Sequence, residues 1–257
     1  MLQWTILLRD IAILFAALSA SFAGLLTLPA SIAAGVMAII LWHAWGVAGL
    51  APALFFLISS SLWTRWPGKA KREARLRSLS QVFANGSIGT VSTLLWFLTK
   101  DPVWLGAMIG SFSAATADTW SSEWGRGLGG TPLSLRTLQR VQAGDSGAIS
   151  LVGTIASLAG ALSVAGVSLK IGLIEPDWFS IILLAGFAGG MADSFAGAWF
   201  QAQWLDKDGS TTETRPVDAT RENLIHGLPW VNNDVVNLVA TGAGAILAVM
   251  AGYSIQP

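Results

Sequence analysis

The sequence predicts an all-α fold, a polytopic membrane bundle of about seven or eight transmembrane helices forming one integral-membrane domain over residues 1–257. Three observations carry this expectation. Hydrophobic residues make up 53% of the chain and charged residues only 12%, whereas a soluble domain carries roughly a quarter charged residues. The apolar residues fall into runs long enough to cross a hydrocarbon core about 30 Å thick. Twelve of the 15 Lys and Arg residues lie in three polar stretches, 64–80, 118–148 and 202–230. No cysteine is present, which removes disulfides, thiol nucleophiles and thiolate metal sites. The start of the chain lacks the basic region of a cleavable signal, so the first apolar run is expected to remain as a span.

Residues 3–28 form that first run, interrupted by Arg9 and Asp10, which can snorkel or pair. Pro29 is expected to end it. Residues 30–63 are apolar throughout. As one helix they would run about 50 Å, well past the core. The stretch His43-Ala44-Trp45-Gly46 is the expected break, giving two short spans; one strongly tilted helix is the alternative. These N-terminal spans (1–63) precede a basic loop at 64–80, where Arg65, Lys69, Lys71, Arg72, Arg75 and Arg77 face one acid, Glu73. The positive-inside rule puts this loop in the cytoplasm, as a topology anchor or as a holder of substrate phosphate.

The motif-bearing bundle follows over 81–257. Span 81–99 begins with Gln81, Asn85 and Ser87 at the cytoplasmic end. Lys100-Asp101-Pro102 turns the chain on the far side, and 103–116 returns. Residues 148–169 cross outward, 170–178 connect, 179–200 return, and 231–253 form the last span. The three long polar loops then share the cytoplasmic face, where the active site is expected. Many of the 13 Trp residues, including Trp4, Trp42, Trp63, Trp104, Trp178, Trp204 and Trp230, stand near expected span ends and read as an interfacial belt. Gly186, Gly189, Gly190 and Gly197, and likewise Gly153, Gly160 and Gly166, have the small-residue spacing of close helix packing.

The chemistry concentrates in residues 117–130, Ala-Asp-Thr-Trp-Ser-Ser-Glu-Trp-Gly-Arg-Gly-Leu-Gly-Gly. A shorter counterpart stands at Met191-Ala192-Asp193-Ser194. An ionisable group inside a span is costly and is a functional candidate by default. The two Ala-Asp-(Thr/Ser) elements are expected to face each other and hold a metal and phosphates. The plainer alternatives are a helix–helix bond for Asp193 and a solvated helix-end charge for Asp118. On a helix, Asp118 aligns with Ser121, Ser122 and Gly125; Glu123 faces elsewhere unless the helix ends between them. Two carboxylates with hydroxyls and water suit Mg²⁺, which takes oxygen ligands and is usually held by one or two carboxylates plus substrate phosphates. His226 and His43 are the only histidines, which argues against zinc.

Gly125-Arg126-Gly127-Leu128-Gly129-Gly130 fits the GxGxxG pattern. A membrane helix rather than a strand precedes it, which excludes a dinucleotide fold. Glycine N–H groups can still approach phosphate oxygens, with Arg126, Arg136 and Arg140 supplying charge; a flexible hinge is the alternative. In Gly144-Asp145-Ser146-Gly147, both Asp145 and Ser146 are candidate N-caps, and a helix N-terminus also favours phosphate. Asn233 and Asn237, in a cluster with Asn223, Asn232 and Asp234, share a helix face and either bond between helices or bind ligand. No Ser-His-Asp arrangement and no Walker lysine pattern occurs, and nothing beyond the basic loop suggests nucleic-acid binding.

The elements 117–123, Asp145-Ser146-Gly147-Ala148-Ile149-Ser150-Leu151-Val152-Gly153-Thr154, Ala192-Asp193-Ser194 and Asn232-Asn233-Asp234 resemble the integral-membrane family that includes phytyl-phosphate kinase and transmembrane protein 19. The Ala-Asp-Thr-Trp-x-Ser-Glu element is specific to that family, and the similarity covers most of the chain from Gln81 onward. More distantly, it is similar to dolichol kinase, phytol kinase and CTP-dependent cytidylyltransferases. Asp118 and the glycines from Gly125 to Gly129 match two of their elements. Their lysine-bearing third element is replaced by Gly144-Asp145-Ser146-Gly147, and Arg140 or Arg136 is expected to substitute for the lysine.

The resemblance implies phosphoryl transfer from CTP or another nucleoside triphosphate to an isoprenyl monophosphate, phytyl phosphate to phytyl diphosphate, for tocopherol- or phylloquinone-type lipid synthesis. On that basis Asp118 and Asp193 hold Mg²⁺ with Glu123 assisting, and Arg126, Arg136 or Arg140 offsets charge. Gly125, Gly127, Gly129 and Ser146 cradle donor phosphates. Asn85, Ser122, Asp145, Gly147, Ser194, Asn233 and Asn237 complete the expected nucleotide and substrate contacts. The rivals are a polyprenol kinase or cytidylyltransferase and, in another class, a transporter or channel.

Overall fold

The computed structural model describes residues 2–65, 76–207, 209–216 and 220–255. Lys69, Lys71, Arg72, Glu73 and Arg75 of the basic loop lie outside the described residues. The described chain folds as a polytopic helical bundle: α1 (Leu2–Phe22), α2 (Leu28–Gly49), α3 (Ala51–Thr64), α4 (Leu79–Thr99), α5 (Val103–Leu128), α6 (Leu151–Lys170), α7 (Pro176–Phe200) and α8 (Asn233–Gly252). Six of these are long and apolar enough to cross a membrane; the exceptions are α3 and α5. With 14 residues, α3 reaches only about 21 Å.

Helix α5 is the hub. It packs against α3, α4, α6, α7 and α8, and its residues from Gly106 to Ala117 are buried without a break. A helix enclosed by protein rather than lipid can carry the serines, threonines and carboxylates that would be prohibitive on a lipid-facing helix. Close approach is set by small residues. A Cβ at Gly186 would collide with Ser113, and one at Gly110 with the backbone of Gly244, so α7 and α8 lie almost backbone-to-backbone on α5. Gly153 and Gly160 also let α6 approach α5, less tightly, a built Cβ meeting the Ser121 and Thr116 carbonyl oxygens at 3.1 Å. Gly166 shares their spacing but has nothing within 4 Å of a built Cβ.

Several sequence expectations are corrected. Pro29 does not end α1 but sits in the first turn of α2, where its missing N–H breaks no helical bond. By contrast, the break expected at 43–46 is present: Gly46 (φ 65°, ψ −157°) interrupts the helical backbone within α2, whereas Leu50, between α2 and α3, keeps helical angles (φ −77°, ψ −21°). Helix α5 does not stop at residue 116 but continues to Leu128. Helix α6 begins at Leu151, capped by Ser150, whose hydroxyl accepts from the Gly153 N–H at 3.1 Å. Asp145 and Ser146 are therefore not its caps. Arg9 and Asp10 pair as expected, and Asp10 also meets His43 of α2 at 3.0 Å.

The polar loops gather at one end of the bundle. They carry small strands that the all-α expectation did not include. Strand β1 (Leu133–Ser134) pairs with β2 (Ala148–Ile149), and β3 (Gln203–Leu205) lies between β4 (Thr211–Thr212) and β5 (Leu224–His226), all antiparallel. At the opposite end the connections are short, and the Tyr253 hydroxyl donates to Asp101. The Trp belt holds only in part. Trp4 and Trp230 are largely exposed, but Trp204 is buried, Trp178 packs over Gly106 and Gly252, and Trp63 stacks edge-on against Trp120 and Trp124.

Candidate active site

At the polar end, the last turns of α5, the start of α6 and the end of α7 diverge around a cleft with about 690 Å³ of free space, continuous with solvent. Asp193 opens onto it from α7, with Ser194 beside it. Asp118 projects from α5 toward the same point, so the two carboxyl groups meet, and Ser122 places its hydroxyl against Asp118 one turn on. The meeting follows from the glycine packing. A Cβ at Gly190 would lie 3.3 Å from the Asp118 backbone nitrogen, and Asp193 is nearly one turn further along α7. Asp193 Oδ2 is buried with no hydrogen-bond partner. Two neighbouring carboxylates, one with an oxygen left without a partner, are a donor set that a hard divalent cation fits. No cluster of three His, Cys, Asp or Glu side chains suited to a metal occurs among the described residues, so Asp118 and Asp193 would leave most of the shell to water and phosphate oxygens.

The cleft collects Ser122, Gly125, Arg126, Asp145, Ser146, Gly147, Asp193, Ser194 and Asn233 from the expected residues. Arg126 is the guanidinium in its lining. It is held from behind by Glu123, Nη2 to Oε1 at 3.1 Å. Glu123 does not face the cleft. Since α5 continues as a helix, Glu123 is carried round to α3, where Thr64 donates to it at 3.1 Å. There it also feels the charge of Arg77, a guanidinium whose pKa burial lowers and Glu123 partly restores. Glu123 positions Arg126.

The glycines of the GxGxxG stretch do not form a loop. Gly125 and Gly127 belong to the last turns of α5, and the Gly129 N–H donates to the Gly125 carbonyl at 3.0 Å. Their N–H groups are part of the helical register and do not fan out as a cradle. Glycine at 125 and 129 instead leaves room for Ser150 at the head of α6. Arg136 and Arg140 are exposed on the loop outside the cleft; Arg136 contacts His226 at 2.7 Å. Asn85 donates to the Gln81 carbonyl of its own helix. Asn237 is buried one turn below Asn233 and does not reach the cleft. Asn232 caps α8, accepting from the Val235 N–H at 3.0 Å.

Two residues of the site were not foreseen. Glu213 accepts from the Ser146 N–H at 2.9 Å and the Ser146 hydroxyl at 2.6 Å, and from the Gln201 amide at 3.0 Å. Both Glu213 and Gln201 line the cleft. Neither stands in a motif; only the mixed charge of the 202–230 loop hinted at a role.

Residues 11–245 match the family described as integral membrane protein DUF92. The chain belongs to this family. It is 30% identical over 227 residues to an uncharacterized membrane protein of Methanocaldococcus jannaschii, covering 85% of this chain and 82% of that one. An uncharacterized membrane protein of Synechocystis is 28% identical over 226 residues, 84% of this chain and 78% of its own. Protein VTE6, chloroplastic, of Arabidopsis thaliana is 28% identical over 230 residues, 85% of this chain and 62% of that protein's length. No solved structure matches the chain. The DUF92 match bears out the family read from the Ala-Asp-Thr-Trp-x-Ser-Glu element, and the cleft is built from that element and its partners.

Proposed function

We propose that this DUF92 protein is a membrane kinase that transfers the terminal phosphoryl group of a nucleoside triphosphate, CTP by resemblance, to an isoprenyl monophosphate such as phytyl phosphate. The observation that carries it is the pairing of Asp118 with Asp193, which opens onto a cleft between apolar helices and solvent that Arg126 also lines. A lipid phosphate needs this boundary, with its chain among helices and its head group in the polar opening. The positive-inside rule places that opening in the cytoplasm.

The acceptor monoester is already mostly ionised near neutral pH, its second pKa being about 6, so the site needs no strong general base. An acceptor oxygen bonds to the donor's γ-phosphorus as the bond to the β–γ bridging oxygen breaks, and the nucleoside diphosphate leaves with that electron pair. The protein's part is positioning and charge neutralisation. Arg126, steadied by Glu123, faces the phosphates; Ser122 and Ser194 offer hydroxyls; Asn233 borders the opening. Mg²⁺ held by Asp118 and Asp193 would neutralise charge developing on the transferred group.

Purified protein in detergent with phytyl phosphate, Mg²⁺ and each nucleoside triphosphate in turn tests this by mass spectrometry. Phytyl diphosphate formed by wild type, and reduced at least about 100-fold in Asp118→Asn, is the expected result. A CDP-lipid as product, or conversion of a polyprenol supplied in place of phytyl phosphate to its monophosphate, assigns a related enzyme instead, and ion flux in proteoliposomes without nucleotide assigns a transporter.

A further inference from the structure

Three donors converge on the carboxylate of Glu213: the N–H and hydroxyl of Ser146 on one oxygen, and Gln201 Nε2 on the other. The fold sets these donors independently of Glu213. Gly144 and Gly147 adopt left-handed φ values of 105° and 70°, and Gly147 lies directly on Ala198 of α7, where a Cβ would collide. The Ser146 N–H is thereby aimed from the helix surface into the cleft. Gln201 closes α7 and is 2% exposed. The Gly144 side of the turn abuts the Arg126 stem, so a guanidinium borders the same space. Fixed N–H and O–H donors on a glycine-flanked turn beside an arginine are an oxyanion-binding arrangement.

The group now held there comes from a weaker element. Glu213 follows the two-residue strand β4 on an irregular loop, and its charge is felt by the Asp193 carboxylate. The like charge of Asp193 weakens the hold on Glu213, and a phosphate that arrives with its own cation does not meet the same repulsion.

We infer that Ser146 and Gln201 form a subsite for a substrate phosphate, and that Glu213 is an internal competitor whose carboxylate and the phosphate take the same donors in turn. This presupposes the phosphoryl-transfer reading above for the identity of the anion. Phosphate entry then releases Glu213 and its loop from the 144–147 turn.

Isothermal titration of the full chain in detergent with inorganic pyrophosphate and Mg²⁺ tests the exchange. Removing the competitor raises the fraction of protein whose subsite is free, so Glu213→Ala should tighten pyrophosphate binding roughly tenfold, and Gln201→Ala in that background should reverse the gain. Glu213→Gln, which keeps size and an acceptor oxygen but loses the charge, should tighten it by a smaller factor and decides the matter if the alanine variant does not fold. Unchanged or weaker binding in the folded variants overturns the inference and leaves Glu213 a structural tie. Tighter pyrophosphate binding without any lipid diphosphate product would retain the anion subsite and remove the kinase. Product formation with unchanged pyrophosphate affinity would do the reverse.

Discussion

Asp193 is the residue whose placement is hardest to account for by stability. Its Oδ2 is buried without a partner and its neighbour is another carboxylate. Such a pair destabilises the fold in the absence of a cation, as functional sites often do. Asp193→Asn should therefore raise the melting temperature in Mg²⁺-free detergent by about 2–4 °C for each kcal/mol of relief while abolishing product. A lower melting temperature would instead make the carboxylate a structural group. Glu123 makes the opposite case: it is buried, bonded and turned away from the cleft. Glu123→Gln keeps an acceptor for Thr64 but loses the charge that steers Arg126. The nucleotide KM should rise about tenfold with kcat little changed, and an unchanged KM would remove its positioning role. The carboxylates at 118 and 193 were legible because an acid within an apolar run is conspicuous. Glu213 was not, because in the sequence it is one acid in a mixed-charge loop. Its partner Ser146 lies 67 residues away.

Among the elements, the register of α7 on α5 decides whether the two carboxylates meet. A Cβ at Gly190 would stand 2.8 Å from Ser157 Oγ and 3.1 Å from Ala117 Cβ, so Gly190→Ala must push α7 outward by some tenths of an ångström. Misplacements approaching 1 Å can cost about 100-fold in rate; a loss of at least about tenfold is expected from Gly190→Ala. Gly166→Ala, with open space around it, should leave turnover unchanged and serves as the control. Equal effects from both substitutions would show that helix flexibility, not contact, is what glycine supplies. Spacing alone grouped Gly166 with Gly153 and Gly160, because periodicity reports a shared face but not what lies opposite. The extent of α5 was misread for a related reason. Residues 117–128 are too polar for a lipid-facing helix; neighbouring helices cover the first of them, and Arg126, Gly127 and Leu128 emerge exposed at the polar end.

At the scale of the whole molecule, the alternation of helices puts the loops 129–150 and 201–232 on one side and the turns 100–102 and 171–175 on the other. The chain has no cysteine, so single introduced thiols report sidedness directly. Thr137→Cys should react with an impermeant maleimide from the cytoplasmic side only, and Ile171→Cys from the opposite side only. Labelling of both from one face would overturn the topology. What the sequence by itself determined was the class, the approximate spans, the clustering of polar loops and the two acidic motifs, since hydropathy and charge are local properties of the chain. Only the tertiary structure decided that the GxGxxG glycines are helical, that Glu123 serves Arg126 from outside the cleft, and that Ser146 and Gln201 converge on Glu213. Each of those depends on which helix lies within a few ångströms of another, and such contacts join residues far apart in the chain whose individual identities carry no record of one another.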